Sequence, residues 1–140
     1  MFEIVKNKEM LSACFAIRKE VFVKEQGVPL ENELDSFEEE STHVLGFDQS
    51  HHPFACARFR PYEEAAKIER VAILKEYRKY GYGHSLMTAI ERFAKAQGYH
   101  RLVLNAQTQA QGFYEKLDYT PIGEVFLEEN IEHVKMYKNI

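Results

Sequence analysis

The sequence predicts a mixed α/β (α+β) fold in which helices flank a mostly antiparallel central sheet. Two observations favour this fold class. Short apolar segments separated by turn residues recur along the chain, and three of them follow one another between residues 43 and 74. Segments with apolar residues at helical spacing precede and follow these three. The 140 residues are enough for one hydrophobic core, so we expect a single domain spanning 1–140.

The first third of the chain is predicted to form a strand, a helix and an acidic connection. The strand covers 2–5, and Asn7 can cap the helix that follows it. Apolar residues at helical spacing continue until the Gln-Gly-Val-Pro segment at 26–29, which indicates the end of that helix. The acidic segment 31–40 is expected to form a solvated loop or a short helix.

Three strands are predicted next, at 43–48, 54–62 and 66–74, and the short turns between them suit an antiparallel meander. Strict alternation along the third strand predicts that its side chains divide between two faces. The two sets are Ala66, Ile68, Ala72 and Leu74 on one face, and Lys67, Glu69, Val71 and Ile73 on the other.

The second half of the chain is predicted to contain two helices and three strands. An amphipathic helix follows Tyr82 and ends at Gly98, which can supply a left-handed C-terminal cap. A strand at 101–105 leads to a second helix, and two short strands near 123–127 and 133–137 complete the chain. The predicted order is therefore β-α-β-β-β-α-β-α-β-β.

The composition excludes some classes of partner and predicts where the protein is located. The net charge of −4 and the pI of about 5.9 argue against a nucleic-acid or membrane partner. Both cysteines lie in apolar segments, which indicates a reduced cytoplasmic protein, and no signal peptide or membrane-spanning run is recognised. His43 and His133 lie on predicted strands, where a structural histidine is the common outcome, although either could line an acceptor pocket. Neither has metal-ligand spacing, and the oligomeric state is left open, a homodimer being one option.

One segment has the features of an anion-binding site. In it, a strand runs into a basic, glycine-containing turn and then into the N-terminus of a helix. Such a terminus presents unpaired N–H groups and a partial positive charge, which attract phosphate. The turn is not a P-loop, because His84 follows Gly83 in place of lysine. It is not a dinucleotide fingerprint either, because Leu86 stands where a third glycine is needed.

Two motifs together resemble the GCN5-related N-acetyltransferase (GNAT) superfamily. Arg78, Gly81 and Gly83 fill the pattern Arg-x-x-Gly-x-Gly, which resembles the pyrophosphate-binding signature of that family. The segment 110–119 is similar to a downstream family segment, A-x-x-F-Y-E-K-L-G-F, with Asp118 in place of its glycine. The element order also matches over the whole chain.

A narrower resemblance points to the ElaA/YjcF branch of the superfamily. It is carried by Arg18, Phe22, Glu25 and Gln26 with the acidic segment after them, and by residues 131–136, Ile-Glu-His-Val-Lys-Met. Acyl-homoserine-lactone synthases share the fold and a similar start, but they commonly carry a tryptophan there and this chain has none.

The family resemblance implies an enzyme that moves the acetyl group of acetyl-CoA directly onto an amine of a small-molecule or peptide acceptor. Tyr114 matches the tyrosine that protonates the leaving thiolate, although it could merely pack on an apolar helical stripe. Glu69 is the candidate general base, because it precedes the cofactor-binding part of its strand and shares the predicted face of Val71 and Ile73. An exposed carboxylate paired with a neighbouring cation is the plainer interpretation of Glu69.

The implied coenzyme A contacts are Val71, Ala72, Ile73, Arg78, Lys79, Tyr80, Gly81, Tyr82, Gly83, His84, Gln107 and Phe113. A bulge in this strand of the family frees a backbone N–H for the oxyanion, at about Val71 or Ala72. Acceptor contacts are expected at Arg18, Phe22, Glu25 and Gln26. Two other functions stay open: a non-catalytic CoA-binding regulatory module and an acyl-homoserine-lactone synthase.

Overall fold

Seven strands form one sheet in the order β1-β2-β3-β4-β5-β7-β6 in the computed structural model, which describes residues 1–140. The strands are β1 (Phe2–Ile4), β2 (Thr42–Phe47), β3 (Pro53–Tyr62), β4 (Ala65–Ile73), β5 (Arg101–Gln107), β6 (Thr120–Glu128) and β7 (Ile131–Asn139). Every neighbouring pair is antiparallel except β4 and β5, which run parallel. The predicted fold class, a mostly antiparallel sheet with flanking helices, is confirmed.

Four α-helices accompany the sheet: α1 (Lys8–Arg18), α2 (Leu30–Glu33), α3 (Tyr82–Ala96) and α4 (Gln111–Glu115). The Asn7 side chain caps α1 by accepting a hydrogen bond of 2.8 Å from the Met10 N–H, as predicted. The chain then continues without a break as a π-helix over Lys19–Glu25. Gly98 ends α3 at a φ of 94°. None of these helices is long and apolar enough to cross a membrane.

Helices cover both faces of the sheet. A cluster of 18 buried residues, among them Phe54, Phe59 and Leu86, joins α3 and α4 to one face. A smaller cluster of six joins α1 to the opposite face, and it includes both cysteines. The two faces are thus separate environments, which we call the α3 face and the α1 face.

A bulge interrupts β4. Glu69 and Ala72 each have a register partner on β3, but Arg70 and Val71 between them face a single β3 residue. Arg70 adopts a φ of 56°, in the left-handed region. An extra residue of this kind bends the strand and leaves its own backbone groups out of the ladder. The bulge expected from the family resemblance is therefore present, and it includes Val71, one of the two residues named for the freed N–H.

The bulge also reverses the alternation of side chains along β4. Ala66 and Ile68 belong to the cluster on the α3 face, and beyond the bulge Val71 and Ile73 pack against that same cluster. Ala72 instead lies in the cluster under α1. The strict alternation predicted from the sequence is wrong, because the inserted residue exchanges the two faces halfway along the strand.

The parallel strands β4 and β5 pair over only three positions, the last of them Ile68 with Leu104. Both strands continue, to Ile73 and to Gln107, without pairing further with each other. The sheet therefore opens into a wedge between β4 and β5, and strand edges with unpaired backbone groups face that opening.

Candidate active site

A cleft of about 310 Å³ fills the wedge between β4 and β5. Its walls come from both strands, the π-helix, α2, α4 and the β6–β7 turn, so residues from both faces of the sheet line it. Apolar side chains such as Phe22, Val71 and Leu104 line it together with charged ones. This size and mixed lining suit a small-molecule site.

The turn that precedes α3 (Arg78–His84, the phosphate turn) presents free amides. Lys79 and Gly81 take left-handed φ values of 71° and 82°, and no side chain caps the helix. The first N–H to bond back within the helix is that of Ser85, to the Gly81 carbonyl at 3.3 Å. The Arg78 N–H donates to the Lys75 carbonyl at 3.2 Å, but the N–H groups from Lys79 to His84 have no protein partner. They suit a diphosphate, which needs several donors in one place.

Gly83 and Phe113 meet at this turn, although they are far apart in the sequence. A Cβ added at Gly83 would lie 3.0 Å from the Phe113 ring, so a larger residue would require that ring to shift by a few tenths of an ångström. Ile73 lies on the other side of the same spot, at 3.8 Å. Three residues predicted to contact coenzyme A are thereby brought into one cradle. Tyr80, another predicted contact, is 73% exposed.

Arg78 is held by the protein itself. Its Nε donates to the Ile73 carbonyl at 2.8 Å, and its two terminal nitrogens donate to the Glu25 carboxylate at 3.0 and 2.8 Å. Similarly, Gln107 donates its amide N–H to Gln26 Oε1 at 3.0 Å. Each of these two pairs therefore joins a residue predicted to contact the coenzyme with one predicted to contact the acceptor.

Tyr114 lies on α4 and borders the cleft from the α3 face. The residue is 8% exposed, and no protein group hydrogen-bonds to its hydroxyl. Burial raises the pKa of Tyr114 to about 12, so the phenol stays protonated at neutral pH. The structure thus places a neutral hydroxyl donor at the cleft where one was predicted.

On the α1 face, charged side chains form a buried network, here called the ion cluster. Its members are Arg18, Glu33, Asp35, Glu38, Arg58, Arg60, Lys67, Glu69 and Arg70. Arg58 is fully buried and donates to both Asp35 oxygens, at 2.8 and 2.7 Å. Paired in this way, the guanidinium has the partners that a buried charge requires.

The acidic segment is drawn inward by these arginines. Glu33 is buried, and Asp35 and Glu38 are partly buried, so the prediction of a solvated segment is wrong for these three residues. The short α2 helix within the segment agrees with the other half of that prediction. Burial raises the pKa of Asp35, but hydrogen bonds from Arg58 and from the Phe37 N–H outweigh it and lower the pKa to about 2.

The predicted acceptor residues divide between two places. Phe22 and Gln26 line the cleft, whereas Arg18 and Glu25 do not. Arg18 is 1% exposed and donates to both Glu38 oxygens, at 2.9 and 2.7 Å. Arg18 therefore fixes the acidic segment against α1 and lies behind the cleft wall.

Glu69 borders the cleft but belongs to the ion cluster. It accepts hydrogen bonds from Arg58 at 2.9 Å and from Arg60 at 2.8 Å. Burial raises the Glu69 pKa, but the Arg60 hydrogen bond and the surrounding cations outweigh it and lower the pKa. Because of the bulge, Glu69 does not share a face with Val71 and Ile73, so that reason for choosing it was wrong. Its catalytic role stays a prediction, and a carboxylate held this way is a weak proton acceptor.

Sequence reasoning missed most of the ion cluster. One signal was present: Arg58 and Arg60 alternate within the otherwise apolar strand β3, so both point to one face of a buried strand. Two arginines on such a face require acidic partners. The partners themselves were hidden, because Asp35 lies 23 residues before Arg58.

Comparisons with known proteins agree with this geometry. The Acetyltransferase (GNAT) domain family matches residues 6–140. The Bacillus subtilis N-acetyltransferase YjcF is 42% identical over 137 residues, which are 97% of this chain and 97% of YjcF. A Lactobacillus plantarum structure assigned as an N-acetyltransferase has a TM-score of 0.93 at 26% identity, over 99% of this chain and 97% of that one.

Escherichia coli ElaA shares the fold, with a TM-score of 0.85 at 24% identity over 99% of both chains. The phosphate turn, the wedge and the family match agree with an acyl-CoA acyltransferase. The chain therefore belongs to the GCN5-related N-acetyltransferase superfamily, in its ElaA/YjcF-like branch, and is a GNAT-type N-acetyltransferase.

Proposed function

We propose that this protein transfers the acetyl group of acetyl-CoA directly onto an amine of a small-molecule or peptide acceptor. The observation that carries the proposal is the arrangement around one cleft. Free amides of the phosphate turn lie beyond the C-terminal end of β4, and the neutral Tyr114 hydroxyl borders the cleft itself. Neither cysteine lines the cleft, so no thiol is available there to form an acyl-enzyme intermediate.

The chain offers separate contacts for each part of the coenzyme. The amides of Tyr82, Gly83 and His84 would hold the diphosphate, with Lys79 adding a positive charge. The unpaired edge of β4 at Val71 would hold the extended pantetheine arm in the manner of an added strand. Ala72 contributes its backbone alone, because its side chain packs under α1. Bound acetyl-CoA supplies an acyl group activated as a thioester.

Residues of the cleft would act on the two partners of the transfer. An alkyl amine with a pKa near ~10.4 is neutral in only about one molecule in ~10³ at pH 7, so the site must capture or create that form. Tyr114 donates its hydroxyl proton toward the departing sulfur. The backbone N–H of Val71 in the bulge is the proposed donor to the carbonyl oxygen as negative charge develops there.

The first test is binding followed by turnover. Acetyl-CoA should raise the melting temperature, because a ligand that binds only the folded state stabilises it. Thiol release is then followed with a panel of alkyl amines, and transfer should make it amine-dependent. Binding without thiol release would favour the regulatory module, and lactone formed from S-adenosylmethionine and an acyl carrier would favour a lactone synthase. No stabilisation at millimolar acetyl-CoA would overturn the proposal.

The second test is Tyr114→Phe, with Tyr119→Phe as its matched control. Both tyrosines are buried and their rings are 5.8 Å apart, but only Tyr114 borders the cleft. Turnover of Tyr114→Phe should fall by roughly 10²–10⁴ while the coenzyme dissociation constant changes little, as expected when a proton donor is removed. The control should keep its turnover. Equal turnover of the two variants would remove Tyr114 from the reaction.

A further inference from the structure

His133 lies on β7 and borders the same cleft. Its neighbour Val134 belongs to the cluster on the α3 face, so by strand alternation His133 points to the α1 face. Tyr114 approaches the cleft from the α3 face. The cleft passes between β4 and β5, and it therefore has a tyrosine hydroxyl on one side of the sheet and an imidazole on the other.

One hydrogen bond fixes the tautomer of the neutral His133 ring. Nδ1 lies 2.7 Å from the Ile131 carbonyl oxygen, which can only accept, so Nδ1 carries the proton. Nε2 then has a free lone pair, and no protein group hydrogen-bonds to it. The ring is also held in place by Phe126, whose plane is 25° from it with centroids 6.0 Å apart. The result is an oriented imidazole with its basic nitrogen free.

Glu128 stands next to that nitrogen. Its carboxylate oxygen lies 3.8 Å from His133 Nε2, and its side chain is 46% exposed. Of the acidic residues that border the cleft, only Glu128 has an oxygen within 4 Å of a His133 ring nitrogen; the others are Glu33 from α2, Glu69 from β4 and Glu129 from the β6–β7 turn. The cations that border the cleft are Lys67 and Arg70, both from β4. Asn32 bonds to Glu129 at 3.3 Å and ties the β6–β7 turn to α2 over this side. A carboxylate and a basic nitrogen side by side suit an ammonium group.

We propose that His133 is the proton acceptor of this site and that Glu128 holds the protonated amine beside it. The inference rests on the function proposed above and assigns the acceptor to the class of amines that are cationic at neutral pH. Glu69 is the competing candidate, but two arginines occupy its oxygens. By contrast, no protein group donates a hydrogen bond to His133 Nε2.

The transfer moves two protons away from the amine nitrogen. The ammonium group gives one proton to His133 Nε2, and the resulting imidazolium is stabilised by Glu128. The nitrogen lone pair forms the new C–N bond to the acyl carbon, and the C–S bond breaks. The departing sulfur receives its proton by way of Tyr114, which recovers one from the attacking nitrogen. His133 then returns its proton to water, so that an ammonium ion and a thioester give an amide, a thiol and one proton.

The experiment uses His133→Gln, with His52→Gln as its matched control. His52 also lies 3.6 Å from a carboxylate, that of Asp48, but it is exposed and far from the cleft lining. Acetyl-CoA binding is measured by thermal shift, and thiol release is measured from pH 6 to pH 10 with 1,4-diaminobutane, N-acetyllysine, benzylamine and aniline as acceptors. We expect His133→Gln to bind acetyl-CoA as the wild type does and to lose roughly 10²–10⁴ in kcat with the alkyl amines at pH 7.

Two readouts separate proton acceptance from a structural role. The deficit of His133→Gln should shrink as pH rises toward the pKa of the alkyl amine, because a neutral amine needs no acceptor for its first proton. For the same reason aniline, neutral at pH 7, should react with the variant and the wild type at similar rates. Glu128→Gln should raise KM for the alkyl amines and leave that for aniline unchanged.

The outcomes distinguish this inference from the proposal beneath it. A wild type that binds acetyl-CoA but releases no thiol with any acceptor would overturn both. A wild type that turns over, with His133→Gln equal to it at every pH, would overturn the inference alone. If the loss of activity in His133→Gln were the same with aniline and at pH 10, His133 would be a structural residue only. If the pH-dependent loss of activity appeared in Glu69→Gln and not in His133→Gln, Glu69 would be the proton acceptor.

Discussion

The ion cluster borders the cleft, the phosphate turn lies beyond the C-terminal end of β4, and the two are built in opposite ways. The phosphate turn is a single run of the chain, Arg78–His84, and what it presents is main-chain amides. The ion cluster gathers nine side chains from α1, α2, β3, β4 and the acidic segment, and it acts through charge. We therefore expect the turn to tolerate most side-chain substitutions but no change in its backbone conformation. The ion cluster should tolerate small backbone shifts but not the loss of a charged side chain.

The largest expected effect is that of Arg58→Met. The change leaves Asp35 and Glu69 without their shared buried partner, and breaking a buried ion pair costs roughly 3–5 kcal/mol. Urea denaturation should show a loss of this size, or no cooperative transition at all. The control is Arg92→Met on the exposed surface of α3, which should unfold like the wild type. A midpoint for Arg58→Met within error of the control would contradict the account of the cluster.

The second prediction compares Gly81→Ala with Gly98→Ala. Both glycines have left-handed φ values, 82° and 94°, and neither has an atom within 4 Å of an added Cβ. Each variant should therefore lose about 1–2 kcal/mol of stability from backbone strain alone. Only Gly81→Ala lies in the phosphate turn, so only it should weaken coenzyme A binding in calorimetry. If both variants bound coenzyme A equally well, the amides of the turn would not be the diphosphate site.

The smallest effect concerns acid. The Asp35 pKa is lowered from 3.8 to about 2, so its contribution to stability is present above pH 3.8 and is lost as pH falls toward 2. The carboxylate is partly exposed, which limits the contribution to less than about 1 kcal/mol. Asp35→Asn should flatten the fall in unfolding free energy over that window, measured by urea titrations at several pH values. An unchanged slope would show that Asp35 is not held by Arg58 in solution.

These two regions also differ in how well the sequence predicts them. The phosphate turn was predictable because its signal is local: glycines, a basic pair and the start of a helix within seven residues. The pairing of Arg58 with Asp35 depends on a fold that brings distant residues together. The bulge at Arg70 was expected from the family alone, because nothing in the strand's own alternation marks the extra residue. That single residue moved Val71 to the other face and changed the interpretation of Glu69.

The pairing of Arg78 with Glu25 bears on how coenzyme binding responds to ionic strength. Arg78 is neutralised by Glu25 and tied to the Ile73 carbonyl, so Lys79 is the one cation of the turn without an acidic partner. Salt screens attraction between separated charges, but it hardly alters hydrogen bonds from fixed amide dipoles at contact distance. Long-range attraction for a diphosphate would therefore come from Lys79 alone, and we expect the affinity for coenzyme A to fall only weakly as salt rises.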